Sequence, residues 1–289
     1  MHKFLSAVGF SDIRKQDLKI ILDNITEEPD HMNVCKDSEG NELIEYIKFF
    51  TPDLGIIVRG TFDEEDDFQI EYYVPYIRAF KRTTNEIVEI EKHADKESYA
   101  GVCDDPNLGL TLIFYVNDVA DYLNYRAKDS VRTRGACLAA LASEGKILLP
   151  VEKKKAKIKQ SGEKSREELI AEAREGNEEA MQSLSLQEMD MYSIISKRIM
   201  KEDIMSIVTT YFMPYGIESD HYGILAEILN VIETVNDVSG EHIYLMEVEC
   251  NNLKFRLAIN KQNLEGIPAI GRRFKGNIWM QGTVADSLK

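Results

Sequence analysis

The spacing of apolar residues changes along the chain, and each change predicts a different element. Near the start, Ser11 and Asp12 precede apolar residues at helical spacing, which predicts a capped amphipathic helix that ends near Pro29. After it the pattern becomes typical of strands, which are predicted at 43–50, 54–62, 68–77 and 84–91. The acidic residues 63–67 form the tip between the second and third strands, so the pattern predicts an antiparallel meander.

The remainder of the first half predicts one more strand, a helix and a hairpin. Residues 108–116 are rich in apolar and β-forming side chains, and Asn117-Asp118 can cap a helix that continues to about Ala127. Residues 136–151 read as a hairpin, because Ser143-Glu144-Gly145-Lys146 resembles a turn. We therefore predict an N-terminal domain at 1–150, built from an antiparallel sheet with helices.

A change in composition follows this domain. Residues 152–164 contain six lysines and two glutamates in an otherwise acidic chain, together with Ser161-Gly162. Like charges repel and keep a segment extended, so residues 151–164 are interpreted as a solvated linker. The alternative interpretation is a basic site for an anionic partner.

The middle of the chain has helical spacing. Capping boxes at 165–168 and 185–188 predict helix starts, and Gly176-Asn177 can end one helix and begin the next. A further helical run covers 202–212, before Pro214. These residues predict a helical middle segment.

The last part of the chain predicts strands. Residues 222–235 fit a helical face and a strand equally well, and we interpret them as a strand because a strong hairpin follows at 243–259. Residues 273–284, which include Trp279, add another strand. The predicted fold class is α+β, with a second domain at 165–289 that ends in a small curled β-sheet, OB-like or a half-barrel.

Composition limits the partners. The 289 residues carry 35 basic and 50 acidic side chains, a formal charge of −15, which disfavours nucleic acid and anionic membranes. The sequence contains no run of about 18 apolar residues, so no membrane span is predicted. The four cysteines are too far apart for a metal knuckle or a redox pair and are interpreted as reduced, buried thiols of a cytoplasmic protein.

No motif in the sequence predicts catalysis, a cofactor or a metal ion. The five histidines never pair at helical or alternating spacing, and the acidic tip at 63–67 lacks the glycine and the distant glutamate of a calcium loop. The favoured interpretation is therefore a non-enzymatic interaction or scaffold protein with a protein partner. The alternative is a hydrolase-like enzyme whose carboxylates converge from distant segments without leaving a local pattern.

One segment predicts a binding surface. Arg272, Arg273 and Lys275, with Phe274 and Trp279, form a candidate charge and stacking platform for single-stranded nucleic acid or a peptide. The competing interpretation is that Phe274, Ile278 and Trp279 close a core while the basic groups lie at its rim. A homodimer through an exposed sheet edge also remains open, since antiparallel sheets leave such edges.

Several segments resemble a known family. They are the start of the chain (1–9), the run from Ser183 to Arg198, the run 211–218 and the glycine-rich run 271–282. In these segments the chain resembles a clostridial family of uncharacterised proteins that share a domain of unknown function, over its full length. The resemblance implies a bacterial cytoplasmic protein and supplies no catalytic residues.

Overall fold

Strands dominate the structure. The computed structural model describes residues 2–79, 81–93, 97–106, 108–126, 133–151, 166–174, 176–186 and 207–284. The chain forms two compact units, one of Met1–Leu149 with Thr210–Lys289 and one of Pro150–Thr209.

The N-terminal part of the first unit is a four-stranded antiparallel sheet with a short 3-10 helix and an α-helix. The sheet order is β1-β2-β3-β4. The elements in chain order are the 3-10 helix Lys3–Val8, α1 Lys15–Glu27, β1 His31–Lys36, β2 Glu42–Phe49, β3 Leu54–Phe62 and β4 Phe68–Ile77.

The remaining strands of this unit form one ten-stranded mixed sheet. Its first elements are β5 Thr84–Lys92, β6 Tyr99–Asp105, β7 Leu110–Val116, helix α2 Val119–Arg126 and β8 Thr133–Leu148. The later ones are β9 Tyr211–Pro214, β10 His221–Val235, β11 His242–Cys250, β12 Leu253–Asn260, the 3-10 helix Lys261–Asn263, β13 Leu264–Glu265 and β14 Arg273–Thr283.

The long strands β8 and β14 belong to two closed rings of paired strands. In the first ring, strands β5, β6 and β7 connect the first half of β8 to the last residues of β14. In the second ring, strands β10, β11 and β12 connect the first half of β14 to the middle of β8. Strands β8 and β14 pair with each other along their length, from Cys137 opposite Thr283 to Leu148 opposite Arg273. The two rings are therefore fused along one shared pair of strands.

The two rings repeat one topology. In each ring, three antiparallel strands are followed by a helical segment and then by a long strand. That long strand pairs antiparallel with the first of the three, so that β8 pairs with β5 and β14 pairs with β10. The third strand then pairs in parallel with the long strand of the other half, β7 with β14 and β12 with β8. Buried asparagines, Asn117 and Asn260, mark the ends of β7 and β12. The unit thus contains an internal repeat whose halves complete each other.

Two apolar clusters bury opposite faces of the shared strands. On β8, Ala136, Leu138, Ala140 and Ala142 face the ring interior. The intervening residues of β8, together with Trp279 of β14, pack against the four-stranded sheet and the N-terminal helices. Because alternate residues of a strand point to opposite faces, β8 has to be covered on both sides.

The second unit contains helices. Helix α3 spans Arg166–Arg174, Gly176 adopts a positive φ of 88°, and residues 178–186 are helical. The side-chain oxygen of Asn177 accepts from the Ala180 amide at 3.2 Å, so the predicted stop and restart at Gly176-Asn177 is confirmed. The predicted linker at 152–164 and most of the helix predicted after Ser185 lie outside the described residues.

The predicted fold class is wrong. Of the described residues, 52% are in strands and 19% are helical, and the C-terminal strands join a ten-stranded mixed sheet instead of forming a small curled one. The reason is that β12 and β14 pair directly with β7 and β8 of the first half. The predicted boundaries at 1–150 and 165–289 accordingly do not coincide with the compact units, because Thr210–Lys289 belongs with Met1–Leu149.

Local predictions have mixed outcomes. The strands at 54–62, 68–77, 222–235 and 273–284 and the hairpin at 243–259 are confirmed to within a residue. The hairpin predicted at 136–151 is wrong, since these residues lie mainly in the single strand β8. The helix predicted up to Phe212 is also wrong at its end, where β9 begins at Tyr211. Strands β1 and β6 were not predicted.

Candidate functional site

The basic residues of the predicted platform are separated by the fold. The Arg273 Nε donates to the Leu149 carbonyl oxygen at 2.9 Å, and burial lowers the pKa of Arg273. Arg272 Nη1 donates to the Ile267 carbonyl oxygen at 2.7 Å. Lys275 lines a cleft on the surface of β8 and β14. Two of the three basic groups thus support the backbone around the start of β14.

The two aromatic residues of the platform are buried in different clusters. Phe274 lies in the ring interior, where its ring covers two glycines that face each other, Gly145 and Gly276. A Cβ at Gly145 would lie 2.3 Å from the Phe274 ring, so position 145 requires glycine. Trp279 lies in the other cluster, and its indole Nε1 donates to Asp220 Oδ2 at 2.7 Å. The structure therefore brings no joint stacking surface together from Phe274 and Trp279.

Trp279 forms the centre of an aromatic cluster near the N-terminus. The His2 ring centroid lies 4.7 Å from that of Trp279, and Phe4 lies 5.6 Å from Trp279 and 5.3 Å from His221. Burial, together with the neighbouring His221, lowers the pKa of His2 to about 4. The cluster keeps His2 neutral and anchors the N-terminal 3-10 helix on the outer face of the shared strands.

This burial makes the stability of the fold depend on pH. The pKa of His2 is about 4 in the folded protein, whereas that of an ordinary histidine is 6.5, so the unfolded chain binds the proton first as the pH falls. The His2 contribution is complete above pH 6.5 and is lost as the pH falls toward 4. We expect urea unfolding to show a loss of about 2 kcal/mol between pH 7 and pH 5, beyond any loss in a His2→Gln variant. An equal loss in both proteins would contradict the assignment, and exposed His31→Gln serves as the control.

A buried ion pair connects the four-stranded sheet to the first ring. Arg59 and Glu45 are both fully buried, with Arg59 Nε 2.7 Å from Glu45 Oε2. Arg59 also donates to the Tyr115 hydroxyl at 2.9 Å and to the Asn117 carbonyl oxygen at 2.5 Å. The hydroxyl of Tyr72 accepts at 3.2 Å. Every one of these partners belongs to the protein interior, so the network acts as a structural connection.

The reactive side chains are withdrawn from solvent. All four cysteines are buried and unbridged, and burial raises the pKa of Cys35, Cys103 and Cys250 to about 12. Burial also raises the pKa of Cys137. A thiol must ionise to act as a nucleophile, so these cysteines are unsuited to that role near neutral pH.

Within the described residues, no group of three or more His, Cys, Asp or Glu side chains is placed to hold a metal ion.

The cleft that contains Lys275 has a volume of about 620 Å³ and is lined by charged and amide groups. Its carboxylates are engaged by neighbours. Lys146 Nζ lies 2.8 Å from Glu265 Oε1, and Asn277 Nδ2 donates to Glu144 Oε1 at 2.9 Å. The cleft therefore offers ion-paired and hydrogen-bonded carboxylates rather than two free carboxylates facing one point, as acid–base catalysis would use.

An unpaired strand edge is the feature best placed to contact another molecule. Strand β10 pairs with β14 up to Glu227 opposite Arg273, and Ile228 exchanges backbone hydrogen bonds with Gly271 and Arg272, each of 2.8 Å. Beyond that point β10 continues to Val235 with β11 on one side, and the described chain supplies no strand on the other. Within this stretch the Val231 amide donates to Asn230 Oδ1 at 2.9 Å. We call this side of residues 229–235 the open edge.

Apolar side chains surround the open edge. Ile232 is 57% exposed in the middle of it, and Ile267 and Ile270, on the loop that leads to β14, are 73% and 70% exposed. The hairpin tip beyond the edge is fixed, because Asn236 Nδ2 donates to the Val8 carbonyl oxygen at 2.8 Å and the Asp237 amide to that of Phe50 at 2.9 Å. The edge is thus both apolar and held in place.

Parts of two other strand edges of the unit are covered. Helix α2 lies along β1, where Asn124 Nδ2 donates to the Val34 carbonyl oxygen at 2.9 Å. On β4, the side chain of Gln281 bonds to the Pro75 carbonyl oxygen at 2.8 Å and to the Ile77 amide at 3.3 Å. Proteins cover or charge strand edges to prevent unwanted pairing, and residues 229–235 contain neither Pro nor Lys. The other terminal strand, β9, is shorter and contains Pro214, so the open edge is the longer of the two.

Comparison with known proteins identifies the family. The model of a family described as a domain of unknown function, with E. rectale in its description, matches residues 5–282. The chain belongs to the DUF3881 family. Because E. rectale is clostridial, the predicted resemblance to an uncharacterised clostridial family is confirmed for almost the whole length of this DUF3881 chain. No curated protein and no solved structure matches it.

Sequence analysis missed the open edge, although the strand itself was predicted. The only signal in the sequence is the composition of 229–235, which is apolar and β-branched and contains one charged residue, Glu233. Whether this part of β10 has a second neighbour depends on where its pairing with β14 stops, and no local pattern encodes that.

No helix among the described residues has the length and apolar character needed to cross a membrane.

Proposed function

We propose that this chain is a non-enzymatic interaction protein that binds an extended protein segment along the open edge of β10. The observation that carries the proposal is a strand that β11 holds on one side and that is open on the other, with Ile232 exposed at its middle and Ile270 exposed on the loop that bonds to Ile228. A strand added to such an edge gains main-chain hydrogen bonds, while apolar side chains provide selectivity. A large exposed apolar patch on a protein surface commonly marks an interaction site.

The proposed location is the cytoplasm. Four unbridged cysteines support it, since proteins of oxidising compartments use such residues in disulfides. The proposed partner is a protein. The formal charge of −15 disfavours a nucleic acid, and the burial of Phe274 and Trp279 in different clusters removes the stacking surface that such a partner would need.

A capture experiment with matched variants tests the proposal. The tagged chain is incubated with an extract of a bacterium that encodes it, as the wild type, as Ile232→Lys and as Ile217→Lys. Ile217 is 98% exposed and lies in the turn before β10, at the other end of the strand from residues 229–235, so its variant controls for added charge. We expect a protein that the wild type and Ile217→Lys retain and that Ile232→Lys loses. The same set of proteins on all three baits would contradict binding at the open edge.

A further inference from the structure

We infer that the open edge pairs with the open edge of a second copy of this chain, antiparallel, with the twofold axis at Ile232. This inference rests on the proposed function and specifies its partner. A homodimer interface of this kind uses the same surface on both subunits, so that surface must be complementary to itself. The residues 229–235, with the sequence Leu-Asn-Val-Ile-Glu-Thr-Val, meet that condition.

The antiparallel register about Ile232 gives matched neighbours. Residues opposite each other would be Asn230 with Thr234, Val231 with Glu233, and Ile232 with its own copy. Leu229 lies at a β-bulge of β10 and is left out of this register. The apolar β-branched pair of Ile232 with its copy and the polar pair of Asn with Thr are favourable cross-strand neighbours. A shift of the register by one residue would bring Ile232 opposite an acidic or a smaller apolar residue, so the symmetric register is favoured.

The charges on the edge permit this pairing. Glu233 would lie opposite Val231 and diagonal to its own copy, and not directly opposite it. Its carboxylate already lies 2.8 Å from Lys261 Nζ and 2.6 Å from His242 Nδ1. The hydrogen bonds from these two groups lower the pKa of Glu233. Local repulsion across the axis is thereby reduced.

The net charge of the whole chain acts against association. Two copies of charge −15 repel each other at long range, and dissolved salt screens that repulsion. Apolar contacts and main-chain hydrogen bonds at the edge are much less sensitive to salt. The dimer should therefore become tighter as the salt concentration rises, whereas an interface held by ion pairs would become weaker.

Sedimentation or light scattering of the purified full chain measures the association. A monomer has a mass of 33.0 kDa, and we expect the mass to approach twice that value as the concentration rises from about 1 to about 100 µM. Ile232→Lys would place two ammonium groups opposite each other and should weaken the dimer by about tenfold or more. Ile217→Lys should leave it unchanged. Circular dichroism checks that each variant is folded.

A cysteine at the axis tests the register. Residues opposite each other in an antiparallel pair have Cα atoms about 4.5–5.5 Å apart, within the range that a disulfide spans. The four native thiols are buried, so Ile232→Cys presents one exposed thiol to a mild oxidant. We expect rapid formation of a covalent dimer by Ile232→Cys and none by the control, Ile217→Cys, although position 217 is the more exposed of the two.

The outcomes separate the inference from the proposal on which it rests. A chain that stays monomeric throughout overturns the second-copy inference, and the capture experiment then decides the proposed function separately. A dimer that Ile232→Lys does not weaken also overturns the inference, because another surface would hold it. A wild-type dimer that Ile232→Lys dissociates, strengthened by salt and crosslinked at Ile232→Cys, supports both.

Discussion

Replacement of Arg59 by methionine is expected to lower the free energy of unfolding by about 3–5 kcal/mol. The guanidinium is fully buried and has four hydrogen-bond partners in three elements, Glu45, Tyr72, Tyr115 and Asn117. Methionine fills a similar volume but leaves the Glu45 carboxylate buried without its cation. An unpaired buried charge is among the most destabilising changes that a single substitution can make. Urea unfolding at pH 7 measures the loss.

A second variant separates the charge from the packing. If Glu45 is replaced by leucine in the Arg59→Met background, no buried charge remains, and we expect much of the lost stability to return. The exposed pair of Arg14 and Asp17 provides the control, since Arg14→Met should change the free energy of unfolding by less than about 1 kcal/mol. A double variant no more stable than Arg59→Met would contradict the role assigned to the Glu45 charge.

Replacement of Phe274 by alanine is expected to lower the free energy of unfolding by about 3–5 kcal/mol. Its ring lies inside the fused rings and covers Gly145 and Gly276, so its removal opens a cavity with two residues that have no side chain to fill it. Chemical unfolding measures the change. Phe62→Ala is the matched control, because Phe62 is 47% exposed and should lose about 1 kcal/mol or less.

The Phe274 result also distinguishes two interpretations of the segment 272–279. A stacking residue on a binding surface would lose ligand affinity with little change in stability, whereas a core residue loses stability. A free energy of unfolding that is unchanged in Phe274→Ala would contradict the assignment to the core.

The sequence was sufficient for elements whose signals are local. The hairpin from Ile243 to Ile259 was predicted because its turn, Asn251-Asn252, is flanked by strand-forming residues, and both asparagines adopt the positive φ that such a turn needs. The strand Leu54–Phe62 was predicted for the same kind of reason. Turn chemistry and side-chain period act over a few residues, so they can be read without knowledge of the fold.

The same local reasoning failed where a turn-like sequence lies inside a strand. Ser143-Glu144-Gly145-Lys146 suggested a turn, but these residues continue β8 opposite β14. The pairing register shifts between Asn277 and Ile278, which leaves Ser143 as an extra residue, and Gly145 is required by the Phe274 ring above it. A bulge and a glycine therefore have a structural role in contact with residues that are distant in sequence.

The closure of the rings could not be predicted because it depends on distant pairs. Cys137 pairs with Thr283, and Leu257 with Ala140. A strand pattern states that a segment needs a neighbour but does not state which one. Phe274 and Trp279 of the predicted platform are an odd number of residues apart, so they point to opposite faces of β14 and lie in different clusters.

The exchange of final strands between the two repeats has a consequence for synthesis of the protein. Strand β7 cannot complete its pairing until Gln281 and Gly282 have left the ribosome, because β14 is its parallel neighbour. The ring that contains β5, β6 and β7 therefore cannot close until residues 281 and 282 have been made. A stop codon just before Gln281 would leave this ring open, although the pairing of β10 with β14 up to Trp279 would be kept.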